Sequence, residues 1–315
     1  MTFLSTAVQT VLEQGPFCAV AAVTPRGPHC TPLVFAYSGG RIWLTTSRRS
    51  VKTRAWKVDP SVAGLVRHGP LAVTFVGAVK LYDALDRNTW GAAVAGATSI
   101  ARATATFSRK NARFFAGYAF DARQVPFAWT PPGRVFAGAE LERAALLDED
   151  GIQEGRGRWG GEAGSHATFR RSKAGSDPLA GLPHDVRDEL GREGEGTLTV
   201  TGPAGPVVLP VRWLVDDSTL YAALPTDILT LANAEPDAPA VLTLDRASVW
   251  RARDMVGAMV QGTASFYVKG RLGSGAKTAA SIASSMHASA DALVRLATER
   301  LVWWRGWASG STDAR

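Results

Sequence analysis

The chain has 315 residues, 46% of them hydrophobic and 20% charged, which suits two packed domains and excludes disorder over the whole length. Its net charge of +7 points to an anionic ligand. The charge is spread along the chain with no Lys/Arg tail, which argues against a nucleic-acid partner.

In chain order, LSTAVQTVLEQG (4–15) spaces its apolar residues as a helix does and ends in Gly, a C-terminal stop. It lacks the basic start and long apolar core of a signal peptide. The next stretch, PFCAVAAVTPRGPHCTPLVFAYSGGRIWLTTS, holds three β-rich runs separated by TPRGP and SGG, the pattern of an antiparallel meander. Folding the first hairpin sets Cys18 opposite a residue near position 34, not opposite Cys30. No disulfide is expected, and a cytoplasmic location fits. RSVKTRAWKVDP reads as a short helix stopped by proline, SVAGLVRHG and PLAVTFVGAVKLYDAL as strands, 87–120 as one or two helices, and 133–148 as a strand. The Ala- and Thr-rich run 90–107 is broken by Arg102, and nothing reaches the roughly 18 uninterrupted apolar residues of a membrane span.

Residues 151–176 carry seven glycines and little apolar content, as a connector does. The order of elements then restarts. Setting TPLVFAYSGGRIWLTT (31–46) on LPVRWLVDDSTLYAAL (209–224) needs no gap and puts Pro32 on Pro210, Phe35 on Trp213 and the SGG turn on DDS. The helix 184–196, the strand 252–267, the helix 276–292 and the strand LVRLATERLVWWRGW complete the second copy. The expected organisation is a domain over 1–150, a Gly-rich linker over 151–178, and a second, degenerate copy over 179–315.

One stretch carries chemistry. TTSRRSVKTRAWKVDP (45–60) sets hydroxyls and five cations at a strand end, with no acid before Asp59. Hydroxyls, Lys and Arg at the start of a helix suit a phosphate.

The order of these elements, with VTPRGPHCTPLVF, IWLTTSRRSVKTRAWKVDP and VTFVGAVKLY, resembles the pyridoxamine 5′-phosphate oxidase-like split barrels, a family of flavin and deazaflavin oxidoreductases. The resemblance covers roughly 10–147 and, more weakly, 184–305. It implies a mainly β (α+β) fold of two tandem split β-barrels with flanking helices, a pseudo-dimer within one chain. It also implies that Thr46, Ser50 and Lys52, with Thr45, Thr53 and Arg54, hold the phosphate of a flavin. Cys30, Thr31, Pro32 and Leu33 would line its ring. Val51 stands where pyridoxamine phosphate oxidases carry Arg, whereas Lys52–Thr53–Arg54 matches the run of some deazaflavin binders. The cofactor expected is therefore FMN, with deazaflavin as the alternative, and the activity that of an oxidoreductase on a small organic substrate. A non-catalytic flavin or haem carrier is the other reading, with His29 as its candidate axial ligand.

In the second copy the positions of Thr46, Ser50 and Lys52 hold Leu224, Ile228 and Thr230, and no cation lies between Arg212 and Arg246. One competent site and one vestigial site are expected, in a monomeric pseudo-dimer or a homodimer. The five histidines show no metal-ligand spacing, so no metal site is expected. No catalytic acid, base or nucleophile stands out, because such cofactors carry their own chemistry. Trp303, Trp304 and Arg305 are candidates to reach the site across the barrel interface.

Overall fold

The computed structural model describes residues 4–313 apart from 122, 128, 129, 131, 132, 160–176, 234, 247–250 and 269–275, with backbone only for 276–280. Most of the expected linker lies outside the described residues.

The first half runs α1 (Thr6–Gln14), β1 (Cys18–Thr24), β2 (Gly27–Leu33), β3 (Phe35–Ser38), β4 (Arg41–Ser47), α2 (Val51–Val58), β5 (Ser61–His68), β6 (Leu71–Tyr82), α3 (Trp90–Ala95), α4 (Ala97–Lys110), α5 (Ala112–Phe120), β7 (Arg134–Leu147) and β8 (Ile152–Arg156). The second runs α6 (His184–Leu190), β9 (Glu193–Gly202), β10 (Gly205–Asp216), β11 (Thr219–Leu224), α7 (Thr226–Thr230), β12 (Ala238–Arg246), β13 (Val256–Val268), α8 (Ala276–Met286), β14 (Ala292–Arg305) and β15 (Ala308–Asp313). β8 begins inside the span read as linker and pairs antiparallel with β7.

The fold is mainly β, in two curled sheets. One has the order β2-β1-β5-β6-β7-β4-β3 with β8 on β7; the other runs β11-β10-β9-β12-β13-β14-β15, and β11 also pairs β14. That last pairing closes six strands into a barrel. In the first sheet the run matching β10 is split at Val34 into β2 and β3, so its curl stays open. Cys18 pairs with Leu33, not Cys30, and both thiols are free and buried.

The two copies share a defect as well as a topology. Val76 faces Arg143 and Gly77 faces Leu141, so Glu142 is the extra residue of a β-bulge. Gln261 faces Arg300 and Gly262 faces Thr298, so Glu299 is the extra residue of the same bulge. Each glycine is required, because a Cβ there would collide with the carbonyl oxygen of Glu140 or Ala297.

The copies pack back to back about β2 and β10. Thr243 Oγ1 donates to the Cys30 carbonyl at 3.0 Å, and Thr74 Oγ1 to the Val208 carbonyl at 2.6 Å. Cys30 and Val208 occupy equivalent positions, but their donors do not: Thr243 matches Leu65, and Thr74 matches Met259. One buried cluster joins Ala21, Cys30, Ala63 and Leu65 of the first copy to Val207, Leu209, Leu242 and Met259 of the second. No helix among the described residues is long and apolar enough to cross a membrane.

Candidate functional site

Ser50 opens α2. Its φ of −66° and ψ of 158° are those of an N-cap, and its hydroxyl accepts from Thr53 N at 3.1 Å. The hydroxyls around it form a chain. Thr46 Oγ1 donates to Ser50 Oγ at 3.2 Å, Ser50 Oγ lies 3.0 Å from Thr53 Oγ1, and Thr53 Oγ1 donates to Ser47 O at 2.8 Å.

Lys52 sits one residue into the helix and points inward. It is 3% exposed, and its ammonium donates to Thr31 Oγ1 at 2.5 Å. Among the described residues no carboxylate lies within ion-pairing distance of it. Burial lowers its pKa to about 8, so it remains mostly cationic at neutral pH. An uncompensated buried ammonium is costly, and an anion at this helix start would relieve that cost.

The other cations of the stretch are committed elsewhere or face water. Arg48 binds Asp83 through Nε at 2.9 Å to each oxygen, and Lys57 binds Asp86 at 2.8 Å. Arg54 is exposed and lines a cleft of about 950 Å³ between the copies, together with Arg26, His29, Val51 and, from the second copy, Gln261 and Arg300. Burial holds His29 well below its ordinary pKa, with Lys52 as a further cause.

The structure thus brings Thr31, Thr46, Ser50, Lys52 and Thr53 together and sets Arg54 at the neighbouring cleft. It turns three other expected residues away. Cys30 and Pro32 face the second copy, where Cys30 N approaches Met259 Sδ at 3.3 Å. Thr45 lies on the opposite face of β4, with its hydroxyl accepting from Arg134 Nε at 2.9 Å. Leu33 packs on the first copy's core. Trp303 and Trp304 pack against the shared core, and Arg305 pairs with Asp185 and Glu189. Two residues of β14 reach the cleft, Val302 and the charged Arg300, which the sequence pattern does not single out. Its signal is the repeat ERAALL (142–147) and ERLVWW (299–304), which makes Arg300 the counterpart of Arg143.

The second copy is built differently at the matching places. Leu224 and Ile228 are buried apolar residues, and Thr230 Oγ1 bonds Asp227 O at 2.5 Å. The start of α7 holds carboxylates instead of a cation: Asp291 Oδ1 accepts from Thr226 N and Oγ1, both at 2.7 Å. Arg143, opposite Arg300 in the duplication, donates to Ala204 O at 2.9 Å and lies over the Trp159 ring at 5.3 Å. Ala204 holds the place of Arg26. Among the described residues no group of three or more His, Cys, Asp or Glu could hold a metal ion.

The sequence model of the pyridoxamine 5′-phosphate oxidase family matches residues 4–125. Among curated proteins none matches the chain. Solved structures similar to it include a FAD-binding protein of Mesorhizobium loti, 19% identical, covering 45% of this chain and 94% of that one at a TM-score of 0.33. A pyridoxamine 5′-phosphate oxidase-related, FMN-binding protein of Nostoc punctiforme is 16% identical, covering 48% and 88% at a TM-score of 0.33. A protein named F420 reductase is 17% identical, covering 45% and 98% at a TM-score of 0.31. Residues 4–125 thus match the sequence model of the pyridoxamine 5′-phosphate oxidase family, and the second half of the chain repeats the order of strands of the first.

Proposed function

We propose that the first barrel binds the phosphate of a flavin at the start of α2 and serves an oxidoreductase acting on a small organic substrate. The observation that carries this reading is Lys52: a buried ammonium with a neutral hydroxyl as its partner, one residue inside a helix capped by Ser50. The residues present fit a phosphate. Lys52 supplies charge, Ser50 and Thr46 supply hydroxyls, and the free backbone N–H groups of the first turn point the same way. The family match supports a flavin over other phosphate esters.

When bound, a flavin or deazaflavin ring gives or accepts a hydride. The chain's own part is to hold and shield it. Lys52 and the cap fix the phosphate, the cleft between the copies excludes water on one side, and Gln261 and Arg300 contribute polar groups from the second copy. FMN is the first choice of cofactor. Deazaflavin is the alternative, favoured by the Lys52–Thr53–Arg54 run and by three arginines, Arg26, Arg54 and Arg300, around one cleft.

The test is the visible spectrum of the purified protein, mass spectrometry of what it releases on denaturation, and calorimetric titration with FMN and with deazaflavin. Binding of either that is weakened in Lys52→Ala supports the reading. Unchanged affinity for both removes Lys52 from the site. Turnover with a reduced nicotinamide or reduced deazaflavin separates an enzyme from a carrier.

A further inference from the structure

Thr45 marks a second cavity. On its side of β4, beneath α3–α5, lies a cleft of about 490 Å³, a size suited to a small organic ligand. Its walls are the rings of Tyr82, Trp90, Phe107, Phe115, Tyr118 and Phe136. Phe107 and Phe136 meet edge to face at 5.8 Å, and Phe115 and Tyr118 do the same at 5.8 Å, an arrangement that leaves ring faces and edges for a planar guest.

The polar groups sit at one end. Arg134 donates from Nε to Thr45 Oγ1 at 2.9 Å and from Nη2 to Thr45 O at 2.6 Å, which fixes the plane of its guanidinium at the cleft. Burial lowers its pKa, yet a guanidinium remains charged at neutral pH. Asp83, the carboxylate among the lining residues, is neutralised by Arg48 at 2.8 Å. Burial pushes the Tyr118 phenol up to about 12, so it keeps its O–H. The cleft is aromatic, positively charged and furnished with donors.

The duplication supplies an internal control. By the alignment of the copies, Tyr267 stands for Tyr82, Leu293 for Phe136, Ala223 for Thr45 and Asp291 for Arg134. There Tyr221, Ala223, Tyr267 and Leu293 close with Ala283 and Ala290 into one buried cluster. Asp291 turns to α7 instead. The fold can fill this face, and in the second copy it does. In the first copy the same face forfeits those packing contacts and presents a cation.

We propose that this cleft is a second ligand site, separate from the α2 site, that takes a planar aromatic carboxylate with its ring among the aromatic side chains and its carboxylate on Arg134. The test is calorimetric titration with 2-naphthoate and with its uncharged analogue 2-naphthylmethanol, on the protein and on Arg134→Gln and Ala93→Trp. Ala93 lines the cleft from a surface helix, so an indole there blocks the cleft without entering the core.

Naphthoate is expected to bind at least about tenfold tighter than the alcohol, from a charge-assisted contact to a guanidinium. Arg134→Gln should bring the two ligands to similar affinity. Ala93→Trp should lose both while its FMN titration stays that of the parent. Naphthoate no tighter than the alcohol, no naphthoate binding at millimolar concentration, or parental naphthoate binding in Ala93→Trp overturns the proposal. If Arg134→Gln does not fold, Ala93→Trp and the comparison of the two ligands still decide it.

Discussion

Lys52 is where sequence and structure weigh the same residue differently. The sequence presents it as one of five cations on a basic turn, whereas the structure buries it without a carboxylate and leaves Arg54 outside. Removing it should therefore act in two directions. Lys52→Ala should weaken FMN binding by about 1.5–3 kcal/mol, the worth of a hydrogen bond to a charged group, read by calorimetry. Without cofactor, Lys52→Met should raise stability at pH 7, because the folded state no longer carries a desolvated charge. A fall from the ordinary 10.5 to about 8 sets an upper limit near 3 kcal/mol. Between pH 8 and 10.5 the unfolded chain keeps the Lys52 proton that the folded chain has lost, so this cost fades as pH rises. The buried Cys18 and Cys30 thiols, both raised by desolvation, oppose it by holding protons that unfolded thiols release. The wild type must therefore be compared with Lys52→Met pH by pH, and the advantage of the variant should vanish by about pH 10.5. Phosphate-ligand affinity should decline in parallel above pH 8, as the empty site loses its charge.

At the scale of elements, α2 separates a folding role from a binding role. Ser50→Ala removes the cap and should cost about 1 kcal/mol of stability, read as a lower melting temperature. Ser50→Asp keeps a capping oxygen and favours the helix dipole, so it should melt near the wild type yet lose FMN binding by charge repulsion. Equal loss of stability in both variants would mean that the Thr46–Ser50–Thr53 hydroxyl chain, not the cap, is what holds this turn. The paired bulges make a second comparison. Gly77→Ala and Gly262→Ala each drive a Cβ into a carbonyl of the neighbouring strand, and each should destabilise by about 3 kcal/mol or more. The meander, α2 and the duplication are legible in the sequence because alternation, turn glycines and an ungapped repeat mark them. β15 is not, since Ala308–Asp313 is exposed and polar and is held to Arg300–Arg305 by its backbone and by Arg300, which bonds Ser311 and pairs with Asp313. The split of β2 from β3 at Val34 is also hidden, because both halves read as one apolar strand, as β10 is in fact. Arg134 escapes notice because its partner Thr45 lies 89 positions earlier, beyond any local pattern.

At the scale of the molecule, the question is why a copy without a phosphate grip is retained in the architecture. Its contribution is structural and positional. It covers Ala21, Cys30, Ala63 and Leu65 with its own apolar side chains, and it brings Gln261 and Arg300 to the cleft beside α2. At the reciprocal position Arg143 is committed to the Ala204 carbonyl, and α7 meets an incoming anion with carboxylates. A chain built this way should bind one equivalent of FMN and not two, measured by calorimetry with the protein concentration fixed by amino-acid analysis. A chain cut after residue 158 should lose that affinity, because half of the cleft wall is gone. It should also self-associate in sedimentation, because the uncovered face of β2 and β5 is apolar and large exposed apolar faces drive association. If the fragment pairs with itself and binding returns with association, the second copy acts as a built-in partner subunit. A monomeric fragment with the affinity of the intact chain, or saturation of the intact chain at two equivalents, would show that the second barrel plays no part in the site.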